Sequence, residues 1–186
     1  MDMQTLVNIS AKAWALKILA LLDSGVPGRQ APLLAATNAS RPAFATSLYH
    51  LVDLKLLEKN PGHGHPLRPE FRLTPQGVIA ASVAGQIINA APDEEAFAIL
   101  KRSWSVPILV IAGTPTRYST IKNGLGNITD RALSQSLYFL EESDWLERKI
   151  NVSERTAFPT YHAIKKGAKI NRAVRADLGS TLRSLQ

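Results

Sequence analysis

The chain has 186 residues, with 22 Lys+Arg against 15 Asp+Glu, giving a formal net charge of +7. Hydrophobic residues make up 45% and charged residues 20%, enough apolar side chains for a buried core, which excludes a wholly disordered chain. There is no cysteine, so disulfides, a thiol nucleophile, Cys-ligated zinc and thiol redox sensing are excluded. No apolar run approaches the roughly 20 residues that span a bilayer. Met1-Asp2-Met3-Gln4-Thr5 lacks the basic flank and apolar segment of a signal peptide. The expectation is a cytoplasmic protein without membrane contact, whose positive charge suits a polyanionic partner.

Taken in chain order, Ala11 to Leu22 is rich in Ala, Leu and Lys and predicts a helix. A helix further along carries Pro42 in its first turn, where a missing N–H costs little. Phe44, Leu48 and Leu51 form its inward face. Pro61-Gly62-His63-Gly64-His65-Pro66 is a polar loop. Ile79, Val83 and Ile87 lie four apart and predict a helix with one apolar, small-residue face. Pro92-Asp93-Glu94-Glu95 starts another, carrying Phe97 and Leu100 inward. Trp104, Ile108, Leu109 and Ala112 have helical spacing, although Pro107 and Val110-Ile111 also suit a strand. Tyr118–Leu125 is a short helix closed by Gly126, and Thr129 caps the next, which carries Leu133, Leu137 and Leu140 on one face. Leu146 to Val152 then alternates as a strand, with Thr160 to Ile164 as the return strand. Ile170, Val174, Leu178 and Leu182 mark a C-terminal helix.

The chain also matches itself. Trp14-Ala15-Leu16-Lys17-Ile18-Leu19 aligns with Trp104-Ser105-Val106-Pro107-Ile108-Leu109 at an offset of 90. Leu48-Tyr49-His50-Leu51 aligns with Leu137-Tyr138-Phe139-Leu140 at 89, and Pro69 through Gly77 with Pro159 through Gly167 at 90. Such a constant offset predicts two copies of one module. The expected organisation is a module at 1–80, a helical linker at 81–102, a second module at 103–170 and a C-terminal helix at 171–186. Helix, helix, turn, helix, hairpin describes a winged helix-turn-helix. The expected fold is mainly α with small β-hairpins, two such modules being related by an internal pseudo-two-fold.

Trp104-x-x-x-Ile108-Leu109, Gly113-x-Pro115-x-Arg117-Tyr118, Ile128-Thr129-x-Arg131-x-Leu133-Ser134 and Trp145-Leu146-Glu147-Arg148 resemble the HxlR-type branch of the MarR-like winged-helix regulators. Pro159-x-Tyr161 followed by Gly167 fits the same pattern. The resemblance covers about residues 103–170 well and 13–80 more loosely. It implies DNA binding, through one such domain per chain and homodimers; this chain departs by carrying two. The cysteine that some members use for sensing is absent, so no thiol-based signal carries over.

In a helix-turn-helix the exposed N-terminal part of the third helix enters the major groove, where Arg reads guanine, Gln or Asn reads adenine, and Ser or Thr serves either. Those positions are Arg131, Ser134, Gln135 and Tyr138 in the second copy and Arg41, Thr46 and Tyr49 in the first. Solvated helix surface is the alternative for each. Ala45 stands where the second copy has Ser134, so the first half binds more weakly or the chain reads an asymmetric site. Wing loops grip phosphates, which points to Arg68 with His63 and His65, and to Arg155. Arg29, Arg117 and Lys122 lie near the expected path of the DNA backbone, with a solvated charge as the competing reading. His63-Gly64-His65 lacks a nearby carboxylate or thiol and is a weak metal signal, so no metal or cofactor is expected. Trp14 and Trp104 read as core anchors.

No Gly-rich phosphate loop, His-Glu-x-x-His or Gly-x-Ser-x-Gly is present, which argues against an enzyme. The leading expectation is a sequence-specific double-stranded DNA-binding transcriptional regulator, its two modules acting as a pseudo-dimer. A tandem winged-helix module that binds protein in a chromosome-organising or replication assembly is the competing reading, favoured by the Ala-rich first face and the apolar linker helix. The linker and C-terminal helices pack the modules together or offer a homodimer face.

Overall fold

The computed structural model describes residues 1–60, 69–151 and 157–175. His63, His65, Arg68, Arg155, Leu178 and Leu182 lie outside the described residues. The chain begins with α1 (Met3–Ser10), whose Asp2 carboxylate accepts from Thr5 N–H, satisfying one of the free donors at the helix start. Helices α2 (Ala15–Asp23), α3 (Gln30–Thr37) and α4 (Arg41–Asp53) follow, then the antiparallel strands β1 (Leu57–Asn60) and β2 (Glu70–Leu73). Next come α5 (Pro75–Ala90), α6 (Glu94–Leu100), α7 (Ser105–Ile111), β3 (Thr116–Arg117), α8 (Tyr118–Leu125) and α9 (Asp130–Glu142). Strands β4 (Leu146–Asn151) and β5 (Phe158–Ala163) precede α10 (Lys165–Arg175), and β5 lies between β3 and β4 in an antiparallel sheet. The architecture is α+β with small antiparallel sheets.

Several expectations are corrected. The helix expected over Ala11–Leu22 starts at Ala15, and a separate α1, which no expectation covered, precedes it and meets it at a bend of 108°. Helix α5 starts at Pro75, right after the hairpin, and buries Ala80, Ala81, Val83, Ala84 and Ile87, while Ile79 is exposed. Helix α7 is helical as its repeat partner suggests; Pro107 sits in its first turn, where an N–H has no intrahelical acceptor. Trp14 and Trp104 are half-buried and border the core, whereas Trp145 is the buried indole. Helices α5 and α10 run without a break through residues 80 and 170.

The two hairpins are joined to their preceding helices in the same way. Lys55 and Asp144 are left-handed, with φ of 60° and 64°. Leu56 N–H donates to Leu51 C=O and Trp145 N–H to Leu140 C=O, each at 3.0 Å. Lys55 N–H reaches Val52 C=O and Asp144 N–H reaches Glu141 C=O, each at 2.9 Å, completing a Schellman cap on α4 and on α9. The cap turns the chain straight into β1 and β4. After each hairpin a glycine, Gly77 or Gly167, lets the next helix lie against the backbone at Leu56 or Trp145.

One hydrophobic cluster runs through the whole molecule. Helix α5 packs against α2 on one side and α10 on another, and α10 also covers α7. Helix α1 packs on α7 and α8, in the second half of the chain. In return, Phe97 of α6 sits 5.2 Å, ring to ring, from Trp14 at the start of α2. Like α1, α6 is short and capped by aspartate: Asp93 accepts from Ala96 N–H.

A methyl added at Gly77 would lie 1.9 Å from Leu56 O, and at Gly167 2.2 Å from Trp145 O. Gly77→Ala and Gly167→Ala are each expected to lose about 1–3 kcal/mol in urea denaturation, because backbone must move. Gly85→Ala, where the nearest atom is the end of the exposed Asp23 side chain at 3.0 Å, should be neutral or more stable. An unchanged midpoint for Gly167→Ala would contradict the close approach.

Candidate nucleic-acid interface

The helix-turn-helix of the second half is built from α8, the Gly126–Thr129 turn and α9. Gly126, at φ 71°, ends α8, and the Thr129 hydroxyl accepts from Ala132 N–H at 3.2 Å to start α9. Leu133, Leu137 and Leu140 then bury one face of α9. Arg131, Ser134, Gln135 and Tyr138 are left exposed, with Tyr138 at 64% exposure. Their spacing of three and four residues places all four along one stripe. Among the described residues, Arg131 makes no ion pair.

Lys122 is less free than the sequence reading supposed. Its Nζ lies 2.7 Å from both carboxylate oxygens of Asp130, the first residue of α9. Tyr118 O–H also donates to Asp130 at 3.1 Å and lies 3.4 Å from Ser134 Oγ. The Lys122 and Tyr118 hydrogen bonds hold the Asp130 carboxyl below the usual aspartate range, and Asp130 raises Lys122 in turn. A carboxylate at a helix N-terminus also complements the helix dipole. Arg117, in β3, lays its guanidinium 3.7 Å from the Phe158 ring centroid, so that β-sheet and α8 meet at this side chain. Deeper in, partial burial pushes the Glu141 carboxyl and the Tyr161 phenol up.

Asp130 and Tyr118 were missed by the sequence reading. The available signal was an Asp in the first turn of a capped helix, but the eight residues that separate it from Lys122 cross from one helix to the next, so periodicity within a helix does not relate them. Only the turn between α8 and α9 brings them together.

The first half offers a plainer surface. Helix α4 buries Phe44, Ser47, Leu48 and Leu51 and exposes Arg41, Pro42, Thr46 and Tyr49. Tyr49 is held in place by Gln30 Nε2, which donates to its hydroxyl at 3.4 Å, and by an edge contact with Phe71. Arg29 precedes α3 and pairs through its backbone with Glu70, where the second half has the β3–β5 pairing. Helix α3 carries no charged residue.

A helix pair, a capped third helix and a following hairpin make residues 105–163 compatible with a winged helix-turn-helix. Residues 99–179 match the family described as HxlR-like helix-turn-helix. That family is one of DNA-binding regulators and not of enzymes, so the match supports an HxlR-type helix-turn-helix regulator. No curated protein and no solved structure matches the chain. Among the described residues, no single helix is long and apolar enough to cross a membrane.

Lys122→Met is expected to let the Asp130 carboxyl rise toward the ordinary aspartate value, read by NMR titration of the side-chain carboxyl carbon. Because the folded value is depressed, the pair's stabilisation is present at neutral pH and fades as pH falls through that depressed value. An Asp130 titration unchanged in the variant would show that Lys122 does not hold it.

Proposed function

We propose that this protein is a sequence-specific double-stranded DNA-binding transcriptional regulator, acting in the cytoplasm, in which two winged units of one chain work as a pseudo-dimer. The observation that carries the reading is the exposed stripe Arg131, Ser134, Gln135 and Tyr138 on the first turns of α9, inside the HxlR-like region. Arg131 and Gln135 are assigned to base edges, Ser134 and Tyr138 to bases or backbone, and Arg117 and Lys122 to phosphates. On α4, Arg41 is assigned to a phosphate, and Thr46 and Tyr49, which align with Gln135 and Tyr138, to bases or backbone. Arg68 and Arg155 are assigned to phosphates at the wings.

What supports a two-unit chain, near 1–80 and 103–170, is the repeated order of elements. Helices α2, α3, α4, β1, β2 and α5 recur as α7, α8, α9, β4, β5 and α10. In this reading the helix ahead of each unit, α1 or α6, leans on the other unit and holds the two reading helices in a set relation. A single chain then does what two copies do in one-domain relatives, and the two helices meet half-sites about 34 Å apart.

With about 6–8 phosphate contacts, affinity for duplex DNA should fall about 10³–10⁴-fold between about 50 and 200 mM salt. Arg131→Ala should cost about 1–3 kcal/mol on the selected site and relax the preference at one base pair, with thermal stability unchanged. Mobility-shift titrations check both; absence of binding at low salt would refute the proposal.

A further inference from the structure

The two reading faces are chemically unlike, and the difference has a direction. At matched positions, Arg131, Ser134 and Gln135 of α9 face Pro42, Ala45 and Thr46 of α4 in the self-alignment. The first set consists of hydrogen-bonding side chains, all exposed. The second is a pyrrolidine ring, a methyl and a methyl beside a hydroxyl; Pro42 and Thr46 are exposed and Ala45 partly so. The charge at the start of the helix is reversed as well, Arg41 standing where α9 has Asp130. Ser40, at the start of α4, makes no side-chain capping bond, unlike Thr129. The neighbouring helix α3 reads Gln-Ala-Pro-Leu-Leu-Ala-Ala-Thr and brings no charge, with Ala31, Ala35 and Ala36 exposed.

In the major groove the thymine C5-methyl is the one apolar group offered to a side chain, and Ala or the Thr methyl is its complement. Arg and Gln, by contrast, satisfy their donors and acceptors on guanine and adenine. We infer that the protein reads an asymmetric site whose two halves differ in kind: a thymine-methyl half under Pro42, Ala45 and Thr46, and a guanine- and adenine-bearing half under Arg131, Ser134 and Gln135. This inference rests on the DNA-binding reading above and deepens it. A symmetric inverted repeat would place guanine or adenine edges against the methyls of α4, leaving those edges without a partner. The asymmetry makes binding directional, so a regulator of this kind distinguishes the two orientations of its site.

The test uses the full chain and a site selected from random duplexes. Once the site is mapped by footprinting, dU replaces dT in one half at a time, which removes the methyl and leaves pairing intact. Loss of each contacted methyl should weaken binding about fourfold, in one half only. Thr46→Ser keeps the hydroxyl and removes the methyl; it should abolish the sensitivity to dU at one thymine in that half. Arg131→Ala should relax the guanine preference in the other half and leave the dU effect in place. Thermal melting of both variants confirms that the exposed substitutions leave the fold intact. A selected site with symmetric halves, or a dU effect that is absent or equal in both halves, overturns this inference while DNA binding stands. Failure to retain any duplex at low salt overturns the DNA-binding reading itself, and the inference with it.

Discussion

Burial of helix α5 is the constraint on which the rest of the molecule depends. Its inward face is made of Ala80, Ala81, Val83, Ala84 and Ile87, all nearly inaccessible to water. Small side chains allow close approach, and α2 and α10 both use it. Because α5 grows directly from the first hairpin and α10 from the second, their contact ties together the two halves of the chain. The cross-packing of α1 on α7 and α8 and of Phe97 on Trp14 adds to that tie, so the halves share one core. Larger side chains at Ala81 or Ala84 would separate the helices, since a close-packed interior tolerates added volume poorly.

From this core the exposed faces of α4 and α9 are positioned by local backbone chemistry. Each third helix is fastened at its C-terminal end by a Schellman cap that launches a strand, and the following helix returns under a glycine. The hairpin therefore cannot swing independently of the helix before it. At the other end, Thr129 caps α9, and Asp130 joins Lys122 and Tyr118 across the turn. That network is exposed, and exposed ion pairs contribute little to global stability. Its consequence is positional: it orients α8 against the start of α9 and leaves Arg131 outside the network.

The two halves share an order of elements and carry unlike side chains. Where α9 presents Arg131 and Gln135, α4 presents Pro42 and Thr46, and in place of the polar network at the start of α9 the first half has a Gln30–Tyr49 hydrogen bond. The buried leucines correspond, Leu48 with Leu137 and Leu51 with Leu140, because both must fill the same kind of core position. The differences are concentrated on the outward face, where packing imposes no such demand.

The amino-acid order by itself determined the helix-turn-helix order of α8 and α9, the exposed stripe on α9 and the Thr129 cap. These are signals of short range, carried by periodicity and by residues within four positions of each other. What only the tertiary structure decided is which surfaces meet: that α1 is a separate helix leaning on the distant α7 and α8, that Ile79 faces water while Ala80 and Ala81 face the core, and that Lys122 spends its charge on Asp130. The apolar spacing of Ile79, Val83 and Ile87 identified a helix correctly, yet α2 and α10 cover a face centred on the alanines beside them. A periodic pattern marks a face as apolar, but which side is buried depends on neighbours tens of residues away, and their geometry is set by packing.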